Sequence, residues 1–367
     1  MRGPILVLNA GSSTLKYAAY RANAEGTLTA LVRGKVEGNA LEPVERLLER
    51  HLEGKSPSAV GHRIVHGGAD FFGPTPVDDR VLAALEALVP LDRLHQPRSL
   101  HTLRAARARY PSALHVACFD TSFHRGHPDV ADAVALPRAL REAGVRRYGF
   151  HGLSYEYVAR RLSEVDPGVA RGRVVAAHLG NGASLCALRN GKSVDSTMTL
   201  TALDGLVMST RPGSLDAGVV LWLLDRGWDR ERIARLLWEE SGLLALSEKS
   251  ADLRKILAAQ TSSARLAVDV FVYTAVKQAA AMAAALGGLD GLVFTAGIGE
   301  NQPETRRRIA DGLSFLGVAL DEAANSRNDI RIGSPGARVA TFVIPTDEES
   351  VIARHTLAAL RKENLAP

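Results

Sequence analysis

Apolar and polar positions follow the same order of patterns in the two halves of the chain. In the first half, short apolar runs predict strands and segments with one apolar face predict helices, in the order Ile5–Leu8, Lys16–Tyr20, Ala30–Val36, Val81–Leu88, Leu100–Tyr110 and Leu114–Phe119. The second half repeats three strands, then helices and a strand, at Val174–Leu179, Ser184–Leu188, Gly191–Asp195, Val219–Asp225, Arg230–Trp238, Ala264–Leu286 and Gly291–Phe294. This order, found twice, predicts a duplicated mixed α/β architecture.

The length of the chain, 367 residues, exceeds what one hydrophobic core usually supports, so two domains are expected. The boundary is predicted within the loop-rich residues 121–150. The amphipathic segment Val351–Leu360 predicts a C-terminal helix that packs back on the first domain. We therefore expect an N-terminal domain of residues 1–123 plus 352–367 and a C-terminal domain of residues 124–351.

Each half opens with a strand that leads into a turn rich in Gly, Asn and Ser, at Asn9–Thr14 and at His178–Ser184. An apolar run, such a turn and a second apolar run predict a hairpin whose turn exposes backbone N–H groups to an anion. The alternative, that Asn9 and Ser12 only close a hairpin, is disfavoured by the repeat at Asn181. Two copies in opposite halves predict a nucleotide whose phosphates are held between the halves.

A third glycine turn, Thr295–Asn301, follows the predicted strand Gly291–Phe294 and leads into a predicted helix, Pro303–Gly312. Glycines let a ligand approach the backbone, and a helix N-terminus favours negative charge. Taken alone, Gly297 and Gly299 could equally form a simple connection. The sequence contains neither GxxxxGK[ST] nor the HRD and DFG motifs, which excludes those classes of nucleotide-binding enzyme.

The composition is that of an ordinary soluble globular protein, with 46% hydrophobic and 23% charged residues. The formal net charge of +5, from 45 basic and 40 acidic residues, does not indicate a nucleic-acid partner. Arginine clusters without interleaved aromatic residues predict solvated helix faces, at Arg104–Arg109, Arg146–Arg147 and Arg306–Arg308.

The cysteines and the apolar segments favour a cytoplasmic protein without a membrane partner. Cys118 and Cys186 lie inside apolar runs, which predicts buried core residues in a reducing compartment. The apolar stretch before Asn9 is too short for a signal peptide. The longest apolar region, Ala264–Gly288, is predicted to be a buried helix and not a membrane span, because charged residues interrupt it at Arg265, Asp269 and Lys277.

Seven motifs resemble those of the acetate kinase family, in the family's order: Asn9–Ser13, Gly61–Gly68, Phe119–His124, Tyr148–Gly152, His178–Gly182, Gly297–Asn301 and Pro345–Glu349. The resemblance spans nearly the whole chain, and several of the motifs are long and specific. It implies the fold of the actin, sugar kinase and heat-shock ATPase superfamily, with duplicated ribonuclease-H-like domains and the active site in the interdomain cleft. It also implies a homodimer that reversibly transfers a phosphoryl group from ATP to acetate, giving ADP and acetyl phosphate.

The resemblance further implies roles for individual residues. Asp120, His151 and Arg211 would be catalytic, with His151 and Arg211 stabilising the transition state, and Arg63 would bind the small carboxylic acid in the N-terminal domain. Asn9 and Glu348 would bind Mg²⁺, for which Mn²⁺ can substitute. The residues implied in ATP binding are Lys16, His178, Leu179, Gly180, Asn181, Gly182, Asp252, Leu253, Arg254, Gly297, Ile298, Gly299, Glu300 and Asn301.

Several of these residues also have a simpler structural interpretation. Asp120 could cap a turn, and Glu348 opens a helix, where the dipole favours a carboxylate in any case. His178 could be a hydrogen-bonded core histidine, and that interpretation is favoured for His62 and His66. Because acetate at neutral pH has no proton to lose, its attack needs no general base. We therefore expect Asp120 to orient an arginine or a magnesium-bound water, although its usual role in the family is that of a proton acceptor.

Some positions depart from the family's usual residues: Ala202 replaces a proline, Asp204 a glutamate, Ser209 a glycine, Ser214 an aspartate or another small residue, and Ala217 a proline. The family's proline at position 202 lines the acyl pocket, so Ala202 is expected to widen it. A propionate or butyrate kinase is therefore the nearest alternative, and the physiological direction of the reaction stays open. An actin-like ATPase is the alternative from another class, and it would lack a buried anion site.

Overall fold

The computed structural model describes residues 3–11, 14–38 and 55–363, and it divides the chain into two compact units. Unit 1 comprises Met1–Arg125, Gly152–Tyr157 and Asp347–Pro367, whereas unit 2 comprises Gly126–His151 and Val158–Thr346. Residues 12 and 13 of the first predicted glycine turn lie outside the described residues. Each unit is a mixed α/β domain built on one sheet, as the hydrophobic pattern predicts.

Unit 1 contains a six-stranded sheet in the order β3-β2-β1-β4-β6-β5. Its strands are β1 Ile5–Ala10, β2 Thr14–Ala22, β3 Leu28–Glu37, β4 Ala59–Ile64, β5 Thr75–Pro76 and β6 Leu114–Phe119. The first three strands form an antiparallel meander, and β4 pairs in parallel with both β1 and β6. The sequence pattern does not predict β4, because Gly61, His62 and Arg63 interrupt its apolar run.

Unit 2 repeats this topology in a five-stranded sheet of order β11-β10-β7-β8-β9. Its strands are β7 Arg173–Leu179, β8 Ala183–Arg189, β9 Lys192–Ser196, β10 Gly291–Thr295 and β11 Ala340–Val343. Again the first three strands form an antiparallel meander, and β10 pairs in parallel with both β7 and β11. The predicted duplication is confirmed at the level of strand order and strand direction.

Helices connect and cover the strands. In the part of the chain that the structure describes, the α-helices are, in chain order, α1 Asp79–Ala87, α2 Gln96–Arg109, α3 Asp129–Asp132, α4 Arg138–Glu142, α5 Gly152–Val165, α6 Pro167–Ala170, α7 Ala217–Asp225, α8 Arg230–Glu239, α9 Gly242–Ser247, α10 Leu253–Ala258, α11 Ser262–Leu286, α12 Ala296–Asn301, α13 Pro303–Gly312, α14 Glu322–Arg327 and α15 Glu348–Glu363. Short 3₁₀ segments lie at Val89–Leu91, Ser122–His124 and Ser314–Leu316. The C-terminal helix α15 packs on β1, β4 and β6 of unit 1.

The long helix α11 lies against β7 and β8 in unit 2. The Thr261 side chain accepts the Ala264 N–H at its start, and Gly287 ends it in the left-handed conformation, at φ 72°. Among the described residues, this is the one helix whose length and mean hydropathy, 1.3, would allow it to cross a membrane, and 44% of its apolar window is buried inside the protein. Core helices of soluble proteins meet the same criteria, so this is weak evidence for a membrane span.

Buried polar residues modify the predictions made from composition. The prediction that the arginines 306–308 lie on a solvated helix face is wrong for Arg306, whose side chain is fully buried. Its neighbours Arg307 and Arg308 are partly exposed and pair with carboxylates. Cys118 and Cys186 are buried, as their apolar surroundings predict.

Candidate active site

In unit 1, three neighbouring parallel strands place polar side chains at one edge of the sheet. Asn9 lies near the end of β1, Arg63 near the end of β4, and Asp120 directly after β6. Because β4 runs parallel to both neighbours, the carboxyl ends of the three strands meet at the same edge. That edge is where open α/β sheets bind their ligands.

Asp120 and Arg63 form a two-pronged ion pair at this edge. Arg63 Nη2 donates to Asp120 Oδ2 at 2.6 Å, and Arg63 Nε donates to Asp120 Oδ1 at 3.1 Å. Burial raises the pKa of Asp120, while the adjacent Arg63 guanidinium opposes that rise. The carboxylate is therefore engaged in fixing the position of the guanidinium.

A cluster of oxygen ligands lies beside this pair, between β1 and the start of α15. Asn9 Nδ2 donates to Glu348 Oε2 at 2.9 Å and to Glu349 Oε1 at 2.7 Å. Asn9 and Glu348 are buried, and burial together with the charge of Glu348 raises the pKa of Glu349. Two adjacent carboxylates next to an amide oxygen are the ligand types that Mg²⁺ prefers, so the residues present fit the metal.

Lys16 belongs to the same region of unit 1. It lies opposite Asn9 in the β1–β2 pairing, which places the two side chains on one face of the sheet. The Lys16 charge lowers the pKa of Glu349, against the effect of burial. Lys16 is exposed, so its ammonium group is accessible to an anionic ligand.

In unit 2, the adjacent strands β7 and β10 lead into the two predicted nucleotide turns. His178 and Thr295 are paired at the carboxyl ends of these parallel strands. A Cβ atom added at Gly180 would lie 3.6 Å from the Ala296 Cβ atom, so the two turns are neighbours. A Cβ atom added at Gly297 would have nothing within 4 Å, which leaves that side of the turn open to a ligand.

The third glycine turn differs from its prediction in one respect: residues Ala296–Asn301 form the short helix α12. Ala296 has φ 65°, which is uncommon for a residue with a side chain. The Glu300 carboxylate holds this geometry, since its Oε1 accepts the N–H groups of Ala296 at 2.8 Å and of Thr346 at 3.0 Å. Asn301 Nδ2 donates to the Gly297 carbonyl at 2.9 Å.

Two histidines stack beside the first of these turns. The rings of His151 and His178 lie 4.1 Å apart with an interplanar angle of 13°. His151 adopts a left-handed backbone conformation, φ 57°, and its Nδ1 lies 2.8 Å from Ser184 Oγ. A strained backbone and a ring fixed by a hydroxyl are typical of a side chain held in place for function.

Arg211 approaches the same turn. It is buried, its Nη1 donates to the Ala202 carbonyl at 2.7 Å, and its guanidinium lies 5.7 Å above the Trp238 ring. A Cβ atom added at Gly182 would lie 3.0 Å from Arg211 Nη2 and 3.1 Å from His151 Nε2. The structure therefore brings both predicted transition-state residues together at Gly182.

Ser209, one of the departures from the family, links the arginine loop to this turn. Its N–H donates to the Asn181 carbonyl at 3.1 Å and its hydroxyl to Asn181 Oδ1 at 3.3 Å. A glycine at position 209 would lack the second of these bonds. The departure adds a bond between the segments that carry Asn181 and Arg211.

The remaining predicted ATP residues lie at the start of α10. Asp252 caps this helix by accepting the Arg254 N–H at 3.0 Å, and Arg254 Nη2 donates back to Asp252 Oδ2 at 2.7 Å. Leu253 is buried. The pair is exposed and local, so its predicted contact with the nucleotide stays a prediction.

Histidines favoured as core residues are indeed buried in unit 1. His62 Nε2 lies 3.0 Å from His115 Nδ1, and burial together with His115 lowers the pKa of His62, which keeps it neutral. His66 Nδ1 accepts the Gly68 N–H at 2.9 Å. His66 thus supports the loop that follows β4.

Sequence patterns alone do not single out three supporting residues, namely Glu349, Ser184 and Arg306. Glu349 is the last residue of the motif Pro345–Glu349 and lies next to the predicted ligand Glu348, and these two signals could have indicated it. Ser184 and Arg306 act through hydrogen bonds across the fold, which no local pattern records.

The chain matches the acetokinase family profile over residues 40–354. It is similar to an acetate kinase of Nitrobacter hamburgensis, with 47% identity over 387 residues, covering 97% of this chain and 96% of that protein. An acetate kinase of Methylocella silvestris is 45% identical over 394 residues and covers 97% and 98% of the two chains.

Solved structures show the same likeness. A propionate kinase from Francisella tularensis superposes with a TM-score of 0.89 at 33% identity, covering 97% of this chain and 99% of that chain. An acetate kinase from Porphyromonas gingivalis superposes with a TM-score of 0.86 at 35% identity, covering 98% and 100%.

Proposed function

The chain belongs to the acetokinase family, and we propose that it is an acetate kinase, which transfers the γ-phosphoryl group of ATP directly to a carboxylate oxygen of acetate. The products are ADP and acetyl phosphate, and the reaction is reversible. The observation that carries the proposal is the convergence of Arg211 and His151 on Gly182, beside the nucleotide turns. A loose transition state spreads negative charge over the transferring oxygens, and such donors stabilise it.

We propose that Arg63 binds the acid. Its guanidinium is held by Asp120 and offers a planar, permanently charged surface to a carboxylate. Because acetate is already an anion, Asp120 has no proton to remove from it. The ion pair supports a role for Asp120 in orienting Arg63.

In unit 2, Arg211 and His151 would meet charge that develops during transfer. The Ala202 carbonyl and the Trp238 ring fix Arg211 before substrate arrives, and Ser184 fixes His151. Donors that are already oriented need little reorganisation when the reaction occurs. The turns Gly180–Gly182 and Gly297–Asn301 would hold the nucleotide through backbone groups.

Glu348 and Asn9 would hold Mg²⁺, with Glu349 as an additional carboxylate next to them. When bound, the metal, or Mn²⁺ in its place, neutralises phosphate charge. Asn9→Ala and Glu348→Ala should raise the magnesium concentration for half-maximal activity more than the KM for ATP. Titration of magnesium at fixed ATP checks this, and an unchanged half-saturation in both variants would remove these residues from the metal site.

Ala202 affects which carboxylic acid we expect the enzyme to use. Its carbonyl binds Arg211, and its side chain is smaller than the proline usual in the family. One methylene in an apolar pocket changes discrimination by only about 1–3 kcal/mol, so we propose that propionate is used nearly as well as acetate. The resemblance to a solved propionate kinase is compatible with this choice.

A hydroxamate assay of acyl phosphate formation with acetate, propionate and butyrate tests both proposals. Acyl phosphate from none of the three acids would contradict the kinase function. A strong preference for acetate that Ala202→Pro leaves unchanged would contradict only the assignment of the acyl pocket.

We also propose a homodimer whose interface includes α7. On this helix Leu221, Trp222 and Leu224 are 62%, 52% and 47% exposed. Several exposed large apolar side chains on one short helix are typical of an interaction surface. Light scattering after size-exclusion chromatography should give a dimer for the wild type and a monomer for Leu221→Glu, and a monomeric wild type would contradict the proposal.

A further inference from the structure

We propose that Arg306 is a positioning residue for the nucleotide: it fixes α12 from its buried side and thereby sets the affinity for ATP. The inference rests on the proposed role of residues 297–301 in binding ATP. It concerns an arginine that composition alone assigns to a solvated surface.

All five N–H groups of the Arg306 guanidinium meet oxygen atoms. Nε donates to Asn325 Oδ1 at 2.8 Å, and Nη1 donates to the carbonyls of Gly299 and Glu300, each at 2.9 Å. Nη2 donates to the Asn325 carbonyl at 2.6 Å and to Asn328 Oδ1 at 2.7 Å. Every one of these acceptors is uncharged, and the Arg306 side chain is fully buried.

The acceptor atoms show which helices Arg306 connects. Gly299 and Glu300 lie in the last turn of α12, where carbonyl groups lack partners within the helix. Asn325 and Asn328 lie in α14 and at its C-terminal cap. The Arg306 guanidinium, near the start of α13, thus connects the end of α12 to α14 through hydrogen bonds.

A role in stability alone does not explain a buried cation with neutral partners. Removing a charge from water is costly, and a well-packed apolar side chain of similar volume often gives equal or greater stability. Burial lowers the pKa of Arg306 to about 10, so the guanidinium still carries its charge at neutral pH. What an apolar side chain could not supply is five directed bonds.

Arg306 fixes one side of α12, and the side of the helix at Gly297 is open. A Cβ atom added at Gly297 would meet no atom within 4 Å. Ala296 keeps its left-handed conformation, φ 65°, while the Glu300 carboxylate accepts its N–H. Arg306 and Glu300 together hold the segment in one geometry, and the open side at Gly297 presents that geometry to the ligand.

The test compares Arg306→Lys with Arg307→Lys. A lysine at position 306 keeps the charge but has three donors for five acceptors. We expect the KM for ATP and the dissociation constant for ADP, measured by calorimetry, to rise about tenfold, while the KM for acetate changes less than about twofold. Arg307 is on the same helix but is partly exposed and pairs with Glu304, so its variant should match the wild type.

A purely structural role would lower the active fraction, and with it kcat, without changing either KM. An unchanged KM for ATP in Arg306→Lys, or an equal rise in both KM values, would overturn the inference. If Arg306→Lys does not fold, Asn328→Gly removes one acceptor at a site where glycine tolerates the observed φ of 57°. That variant should weaken ADP binding about two- to fivefold, and unchanged binding would equally overturn the inference.

The two proposals fail in different ways. A wild-type protein that binds ADP but makes no acyl phosphate would contradict the kinase function. The effect of the Arg306 variants on ADP binding could still be measured by calorimetry. A wild-type kinase whose Arg306 variants bind ADP normally contradicts only the positioning role.

Discussion

Three buried or nearly buried arginines have different partners, and the partners determine what each can do. Arg63 forms an ion pair with the Asp120 carboxylate, which fixes its orientation. Arg211 donates to a backbone carbonyl, and its guanidinium lies over an aromatic ring. Arg306 meets only neutral oxygens, which use all of its donors within the fold.

The first residue-level prediction concerns Asp120. Asp120→Asn should raise the KM for acetate, because the amide no longer fixes Arg63 by charge. In the wild type, burial raises the pKa of Asp120, so the ion pair is complete above that pKa and is lost as the pH falls through it. The KM expressed for the acetate anion should therefore rise towards acid in the wild type and stay flat in Asp120→Asn between roughly pH 5 and pH 8.

Kinetics of both proteins across that pH range provide the measurement. If Asp120 were instead a proton acceptor, Asp120→Asn would mainly lower kcat and leave the KM for acetate unchanged. That result would support the role of Asp120 as a proton acceptor, which is usual in the family.

Substitutions of Arg63 and of Arg211 should also have different kinetic effects. Arg63→Ala should mainly raise the KM for the acid, whereas Arg211→Ala should mainly lower kcat, by about 10³-fold or more for an arginine that acts on phosphoryl transfer. Lysine should restore Arg63 in part and Arg211 poorly, since a point charge does not reproduce a planar donor pair. Steady-state kinetics with melting curves decide the matter, and a loss below about tenfold at Arg211 with an unchanged melting temperature would contradict its role.

At the scale of elements, the loop that carries Arg211 depends on the start of α9. The N–H groups of Leu243 and Leu244 donate to the carbonyls of Met208 and Ser209 at 2.9 and 3.0 Å. Gly242 makes this approach possible, because it has φ 65° and an added Cβ atom would clash with the Met208 carbonyl. The short helix therefore holds Arg211 through backbone contacts.

Gly242→Ala should consequently reduce kcat about 100-fold, because the clash would displace the loop and with it the guanidinium. Gly227→Ala is the matched control: Gly227 also has a positive φ, 79°, but an added Cβ atom would meet nothing within 4 Å. This control should lose about 1 kcal/mol of unfolding free energy and keep its kcat. Equal kcat values in the two variants would show that the clash at position 242 does not displace Arg211.

Two departures from the family fit each other within one loop. Ser214 Oγ donates to Asp204 Oδ1 at 2.8 Å, and Thr199 Oγ1 donates to Asp204 Oδ2 at 2.9 Å. An aspartate at position 214 would place two carboxylates in contact. Considered separately, Asp204 and Ser214 each suggest an altered site. Together they form a hydrogen-bonded pair, in which the Asp204 carboxylate has a donor.

At the scale of the whole molecule, the duplication could be predicted because it repeats a hydrophobic pattern of strands and helices. Residues at strand ends, such as Asn9 and His178, could be predicted for the same reason. Their partners could not, because the bonds from Asn9 to Glu349 and from Arg306 to Asn325 join segments that only packing brings together. Strand β4 escaped prediction because Gly61, His62 and Arg63 interrupt its apolar run.

The division of the proposed binding residues between the two units gives a last prediction. The proposed nucleotide turns all lie in unit 2, whereas the Arg63–Asp120 pair lies in unit 1. Binding slows amide exchange most where it reduces local opening, so each ligand should first protect its own segments. In hydrogen exchange by mass spectrometry, ADP should protect residues 178–184 and 296–301, and propionate should protect residues 62–68 and 119–124.

The matched control is the Arg63→Ala variant, which should lose the protection by propionate and keep the protection by ADP. Arg63 is held by Asp120 inside unit 1, so its loss removes a contact for the acid without touching the turns of unit 2. Protection of residues 178–184 by propionate alone, retained in Arg63→Ala, would assign the acid to the other unit and overturn the proposed role of Arg63.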